Sequence, residues 1–318
     1  MGEPDGRPEV LVLRALKIGD LLVAVPALRG IRRARPDARV VLATPAWLEP
    51  LVELTDAVDA LLPTDGLDEP LAVAPGRVET AVDLHGYGPE SRALCEALRP
   101  RHLVGFRAPG WEGPEWRADE HERVRWASMV SWHQMPADPD DLRLRVPEEA
   151  SPRPGCTVVH VGASYVSREW PVERFAAVAA ALAADGHEVV VTGGSADRER
   201  AERTAALAGL PADAVLAGRT GLAAFAALVA GATLVVTADT GAGHLASAYG
   251  RPSVVVFGPA SPEQWGPPAG PHVALAHADL RRGDPFVAEP DPALLAVTVE
   301  EVLAAVDDLP LERLPPGR

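Results

Sequence analysis

The stretch TADTGAGHLASAYGRP, residues 237–252, leads out of an apolar run through Asp239 and Thr240 into Gly241, Ala242, Gly243 and His244, which open an alanine-rich segment. Threonine is a good helix cap, and behind it the N–H groups of Gly241, Ala242 and Gly243 are expected free to face an anion, with the helix dipole adding to the attraction. A glycine in a first helical turn costs about 0.5–1 kcal/mol relative to alanine, so Gly243 points to a ligand or a backbone passing close by. The alternative is a plain cap on a helix packed tightly against a sheet, with His244 a structural histidine.

Four further stretches have the same grammar of apolar strand, polar loop and helix. HVGASYVSREWP, residues 160–171, offers Gly162 for close backbone approach, the hydroxyls of Ser164 and Ser167, and the Arg168 guanidinium, whose fork matches phosphate oxygens. TGGSADRERAERTA, residues 192–205, places Asp197 to hydrogen-bond a ribose or to cap a helix. LKIGDLL, residues 16–22, carries Gly19 and Asp20 at a helix start, where the carboxylate either caps its own helix or serves as a general base. DLHGYG, residues 83–88, ends another strand with His85 and Tyr87. Two motifs are set aside. Asp138-Pro139-Asp140 has the form of a metal-binding DxD but lies in a proline-rich stretch without a preceding strand. The GxGxxG dinucleotide fingerprint is absent from the first strand, turn and helix, which disfavours a nicotinamide enzyme.

The elements that would position these residues follow from hydrophobic patterning. Residues 10–14 read as a buried strand, 17–20 as a turn, 21–34 as a helix and 39–43 as the next strand, which is a βαβ unit of a parallel sheet. The grammar restarts after residue 156, with strands expected at 157–161, 189–192, 214–216, 234–237 and 254–257. The helix beyond Pro171 carries Phe175, Val178, Ala179 and Leu182 at i, i+3, i+4 and i+7, so one face lies on a core. Between the halves, from residue 108 to 153, the text turns rich in tryptophan, proline and charge and reads as a linker ending in Ser-Pro-Arg-Pro. The expected domains are therefore 1–150 and 151–318, two Rossmann-like α/β domains facing across a cleft.

Composition narrows the function. With 47% hydrophobic and 24% charged residues, the 318-residue chain has the balance of a soluble globular protein. Its formal net charge of -15 argues against a nucleic-acid partner, although a helix N-terminus can still hold one nucleotide. Two cysteines, Cys95 and Cys156, lie far apart and without metal-ligand spacing, so neither a disulfide framework nor a zinc site is indicated. The polar N-terminus lacks an apolar signal region and no apolar run is long enough for a span, so a cytoplasmic setting is expected. Peripheral contact with the inner face of a membrane stays open.

Taken together, these stretches, with IGDLLVAVPALRGIRRARPDARV, VDLHGYGPESRAL, VVVTGGSADRE and LAGRTGLAAFAALVAGATLVVTADTGAGHLASAYGRPSVVVFGPASPEQWGP, resemble glycosyltransferase family 9, the ADP-heptose:lipopolysaccharide heptosyltransferases and their relatives. The resemblance implies a GT-B fold, with an acceptor held by the N-terminal domain and a nucleotide-sugar donor by the C-terminal one. It implies inverting transfer without metal or cofactor to a hydroxyl of a glycan, glycolipid or small-molecule acceptor, with ADP-linked heptose the family's habit. By position Asp20 matches the candidate catalytic base, and Asp239, Thr240, Gly241 and His244 match the DTG-x-x-H donor motif. Arg168 falls at the family's phosphate-directed cation and Asp197 at its ribose-directed glutamate. The chain departs at Val161, where relatives carry proline, at Ala242-Gly243 in place of a Pro-Met type pair, and at Asp197, one methylene shorter. Those departures leave two alternatives standing, a sugar-nucleotide epimerase or hydrolase of the same fold and a non-catalytic nucleotide-sugar binder.

Overall fold

The computed structural model describes residues 6–311. The chain forms two compact units that part between Arg145 and Val146.

The first unit runs β1 (Glu9–Leu13), α1 (Ile18–Ala34), β2 (Arg39–Thr44), α2 (Glu49–Glu53), β3 (Ala60–Pro63), β4 (Thr80–Asp83), α3 (Pro89–Ala97), β5 (His102–Val104) and α4 (Glu122–Trp132). Its five strands are all parallel in the order β3-β2-β1-β4-β5. Helices on both faces bury such a sheet completely, which is why β1 is apolar at four of its five positions and buried at every one. The chain reverses its direction of travel across the sheet between β1 and β4. That reversal leaves a crevice at the strands' carboxyl ends, the place where doubly wound sheets bind ligands.

The second unit continues with β6 (Thr157–His160), α5 (Val172–Ala184), β7 (Val189–Thr192), α6 (Arg198–Leu207), α7 (Leu222–Ala230), β8 (Leu234–Ala238), α8 (Gly241–Ala248), β9 (Ser253–Val256), α9 (Pro262–Trp265), β10 (His272–Leu275), α10 (Pro292–Ala296) and α11 (Val299–Asp307). The strand order is β10-β9-β8-β6-β7, again all parallel, so the reversal falls between β6 and β8. Trp170 is fully buried beneath α5, edge-to-face with Phe175 at 4.9 Å, and its indole N–H donates to the carbonyl of Val297 at 3.1 Å. That bond ties the loop after β6 to the segment between α10 and α11. Among the described residues no helix is long and apolar enough to cross a membrane.

Three expectations are corrected. Residues 17–20 form no free turn: Lys17 is the cap of α1 and Asp20 stands in its first turn. Residues 214–216 make no strand, because Pro211 starts a 3-10 turn over Ala212–Ala214 and only a single bridge, Val215 to Val191, reaches β7. The tryptophan-rich stretch is no linker but part of the first unit. It contains α4, which packs along α1, and it buries Trp111 and Trp126. The segment beyond α4 comes close to α1 at Gly30, where a Cβ would stand 2.7 Å from that of Ala137 and 3.0 Å from the carbonyl oxygen of Pro136. Helix propensity alone would make Gly30→Ala stabilising by about 0.5–1 kcal/mol. The neighbours are a Cβ and two backbone oxygens, none of which can swing aside, so overpacking is expected to dominate and lower stability by about 1–3 kcal/mol. Chemical denaturation of the two proteins decides between these signs, and a more stable Gly30→Ala variant would show that α1 and residues 135–137 are not held this close.

Candidate functional site

The carboxyl ends of β1 and β4 gather the polar residues of the first unit. Arg14 follows β1 and is only 2% exposed. Its Nε donates to the backbone carbonyl of Asp20 at 2.6 Å, its Nη1 donates to the carbonyl of Leu84, and its Nη2 lies 3.6 Å from the Asp20 carboxylate. The guanidinium also lies over the Trp126 ring at 4.7 Å. Burial pulls its pKa down to about 10 against the opposing pull of Asp20 and Asp83, so it stays cationic at neutral pH. Asp83, at the end of β4, accepts the Ser91 hydroxyl at 2.7 Å and the backbone N–H of His85 at 2.9 Å, while burial raises its pKa. Burial, then the Arg14 charge, push His85 down to about 4. The neutral ring accepts the N–H of Ala15 at 3.2 Å through Nδ1.

Of the two readings given to Asp20, the structure shows the cap. One oxygen accepts the Lys17 N–H at 3.3 Å in a capping box, and the other is turned to Arg14. A quarter of its side chain is exposed. Gly19 precedes it, half-buried in the same first turn.

In the second unit the loops after β6 and β8 meet through an ion pair. Nη1 of Arg168 lies 3.1 Å from Oδ2 of Asp239, which is 4% exposed. The pair lacks hydrogen-bond geometry, and Arg168 Nε and Asp239 Oδ2 are buried without a hydrogen-bond partner. An unsatisfied buried polar group costs about 1–3 kcal/mol, which a ligand can return.

The first turn of α8 differs from expectation. Thr240 does cap the helix, but its Oγ1 accepts the Ala242 N–H at 3.3 Å, and the Gly243 N–H donates to the Thr240 carbonyl at 3.1 Å. Of three amides expected to face an anion, two are therefore engaged, because the cap closes over its own turn. The Ala242 methyl is buried in the core. A Cβ on Gly243 would stand 3.1 Å from a methyl of Val255, so this glycine lets α8 lie tightly on β9. His244 is half-buried, with its ring centroid 6.3 Å from that of Trp265. Both line a depression with Asp239, Thr240, Gly243 and Phe257. Trp265 went unnoticed in the sequence because it follows a proline-rich turn with no strand or motif to mark it.

Gly162 and Asp197 are neighbours: a Cβ on Gly162 would collide with the Asp197 carboxylate, and one on Gly193 would approach its Cβ to 2.7 Å. Asp197 Oδ2 accepts the Gly194 N–H at 2.8 Å, which is the capping role. Ser164 is exposed beside this loop, whereas Ser167 is buried and donates to the Pro285 carbonyl at 2.5 Å. The acidic DxD-like run is spent on guanidiniums: Asp140 pairs with Arg123, and the adjacent Asp141 with Arg29 at 2.6 Å and Arg33 at 2.7 Å.

A sequence profile described as glycosyltransferase family 9 (heptosyltransferase) matches residues 121–285, just over half of the chain. The chain belongs to that family. Family membership carries glycosyltransferase activity with it. Lipopolysaccharide heptosyltransferase 1 of Pseudomonas aeruginosa is 38% identical over 148 residues, 46% of this chain and 41% of that protein. Lipopolysaccharide heptosyltransferase 2 of Salmonella typhimurium is 24% identical over 311 residues, covering 80% of this chain and 84% of that protein. In fold, the family 9 glycosyltransferase of Veillonella parvula gives a TM-score of 0.75 at 18% identity, covering 94% of this chain and 96% of that one. The ADP-heptose lipopolysaccharide heptosyltransferase II of Escherichia coli gives 0.70 at 20% identity, covering 94% and 97%. The GT-B class, two parallel-sheet α/β domains, is the fold these family 9 structures share with this chain.

His160 tests how tightly the second site is built. It ends β6, its Nδ1 lies 3.0 Å from the Thr192 hydroxyl, and burial pushes its pKa down to about 4 with only partial relief from Asp197. A group whose folded pKa is depressed below an unfolded value near 6.5 leaves the unfolded chain binding more protons between the two values. Stability from this histidine is thus whole above about pH 6.5 and is lost as pH falls toward 4. His85 acts with the same sign. Thermal melts of the wild type are expected to fall in Tm from pH 7 to pH 5, and His160→Gln to fall by less. An equal drop in both proteins would remove His160 from the account.

Proposed function

We propose that this glycosyltransferase moves a sugar, heptose from an ADP-linked donor, to a hydroxyl of a glycan or glycolipid acceptor, with inversion and without a metal ion. The observation that carries the reading is the buried Arg168–Asp239 ion pair, in which Arg168 Nε and Asp239 Oδ2 have no hydrogen-bond partner. The first is a donor and suits a phosphate oxygen; the second is an acceptor and suits a sugar or ribose hydroxyl. A glycosyl diphosphate presents both, and the pair stands where the second sheet reverses, at the N-terminus of α8. The family's named relatives point the same way, since they are lipopolysaccharide heptosyltransferases, and one solved relative is a heptosyltransferase with ADP.

In this mechanism the acceptor oxygen attacks the anomeric carbon from the face opposite the diphosphate. Its proton passes to Asp20, the carbon–oxygen bond to the diphosphate breaks, and the electron pair leaves with the phosphate oxygen. Arg168 and the end of α8 take up the growing negative charge in the role a metal ion fills elsewhere. Ser164, Thr240, Gly241 and His244 complete the donor side. Asp197 reaches toward the ribose only with the oxygen its cap leaves over.

The test is calorimetric titration with ADP followed by a transfer assay with ADP-heptose and heptose-deficient lipopolysaccharide. Arg168→Ala is expected to weaken ADP binding roughly tenfold to a hundredfold. Asp20→Asn is expected to keep ADP binding and lose about 10²–10⁴-fold in kcat. Wild-type protein that ignores ADP would overturn the donor assignment, and an Asp20→Asn enzyme of full activity would overturn the base.

A further inference from the structure

The loop after β4 carries a histidine that the mechanism above leaves unused. His85 is fastened at its backbone and at its ring. Its backbone N–H donates to the Asp83 carboxylate at 2.9 Å, and Asp83 is itself held by the Ser91 hydroxyl at 2.7 Å. The preceding carbonyl, that of Leu84, accepts from Nη1 of Arg14. The ring is tied to the neighbouring strand end through Nδ1, which accepts the Ala15 N–H at 3.2 Å.

The Ala15 bond also fixes the proton on the ring. A backbone N–H can only donate, so Nδ1 must present its lone pair, and the single proton of the neutral ring sits on Nε2. Burial and the Arg14 charge keep the ring neutral by pushing its pKa down to about 4. Among the described residues Nε2 makes no hydrogen bond, and on this half-buried ring it is not closed off from solvent. That nitrogen can give a hydrogen bond and cannot take a proton. His85 is therefore no rival to Asp20 as the base.

Asp20 is its chemical complement, since a carboxylate only accepts. One guanidinium holds the two segments together: Arg14 donates through Nε to the Asp20 carbonyl at 2.6 Å and through Nη1 to that of Leu84, the residue before His85. The Asp20 charge reaches the ring, where it opposes that of Arg14. A hydroxyl has one proton and two lone pairs, so it needs both kinds of partner to be held in one orientation. A carboxylate that takes the proton and a fixed N–H that occupies one lone pair leave the second lone pair for the anomeric carbon.

We propose that His85 donates its Nε2–H to the acceptor hydroxyl oxygen whose proton passes to Asp20, and that it keeps its own proton throughout. The proposal rests on the transferase reading and adds a catalytic residue to it. Two amide variants separate the two ring nitrogens. Asparagine places its Oδ1 where Nδ1 stands, so His85→Asn keeps an acceptor for Ala15 and loses the donor. Glutamine places its amide nitrogen where the imidazole Nε2 stands, so His85→Gln keeps the donor and loses the Ala15 acceptor. Both are tested as the whole chain, by heptose transfer from ADP-heptose to heptose-deficient lipopolysaccharide, with thermal melts and ADP titration on each protein.

His85→Asn is expected to lose roughly tenfold to a hundredfold in kcat/KM while melting as the wild type does. His85→Gln is expected to melt lower yet to stay the more active of the two, within about tenfold of the wild type. ADP affinity is expected unchanged in both. Heteronuclear NMR of isotope-labelled histidines, with His85 assigned by its loss in His85→Gln, is expected to show the proton on Nε2 at neutral pH. Wild-type activity in His85→Asn overturns the proposal, as does a His85→Gln enzyme no more active than His85→Asn, which is the order a purely structural histidine would give. A proton on Nδ1 overturns it without any transfer assay. Wild-type protein that binds no ADP or transfers no heptose strikes the transferase reading instead.

Discussion

A buried guanidinium at the end of β1 organises the first unit. Removing Arg14 from water carries a desolvation penalty of several kcal/mol, and the fold offsets it with four different partners: the Asp20 carbonyl, the Leu84 carbonyl, the Asp20 carboxylate and the Trp126 ring. The partners come from three places, the first turn of α1, the loop after β4 and the helix α4. Satisfying one cation thereby fixes three segments at the sheet's reversal point. The depressed pKa of His85 follows from the same arrangement, since a ring packed beside a permanent cation and out of water resists protonation. The neutral ring is then available to accept the Ala15 N–H and hold the loop after β1 in place.

The second unit solves a similar problem with a pair rather than a single ion. Asp239 is nearly as buried as Arg14, and its counter-ion Arg168 comes from the neighbouring loop across the reversal between β6 and β8. Here, unlike at Arg14, the ion pair's own atoms Arg168 Nε and Asp239 Oδ2 keep hydrogen-bonding capacity. Arg14 is finished as a structural centre, whereas the Arg168–Asp239 pair is unfinished. That difference is the physical ground for proposing the second unit as the ligand-binding side.

How much of this could be read from the sequence depends on distance along the chain. The strand ends and helix starts at Asp20, Gly162, Asp197 and Asp239 were legible, because an apolar run, a polar or glycine-bearing loop and a capping residue are local signals. Arg168 and Asp239 were both visible, but their pairing was not, since nothing local couples two loops separated by three helices and two strands. The tryptophan-rich segment was misread as a linker for the same reason. Trp116 and Trp126 have no periodic apolar context, and their partners Tyr87 and Arg14 belong to earlier loops. The expectation of three free amides on α8 failed at finer scale. A cap residue was read correctly, but the cap's own demand on the second amide was left out.

That correction shifts weight within the proposed chemistry. With the Ala242 and Gly243 amides engaged, the growing charge on a leaving diphosphate falls chiefly to Arg168, the remaining Gly241 amide and the helix dipole. A lone mobile cation would do this poorly, because it would have to reorganise as the charge develops. Asp239 removes that cost by holding the guanidinium in one place before any ligand arrives, at the price of neutralising part of its field. Two charges about 4 Å apart near a protein surface interact by about 4 kcal/mol, so the carboxylate also opposes the diphosphate it helps to bind. The balance suits a catalyst, since donors fixed in advance act on charge that appears only in the transition state, whereas uniformly tight binding of the ground-state diphosphate would not speed the reaction. A lysine at position 168 would keep the charge and lose the planar fork by which one side chain meets a carboxylate on one edge and a phosphate oxygen on the other.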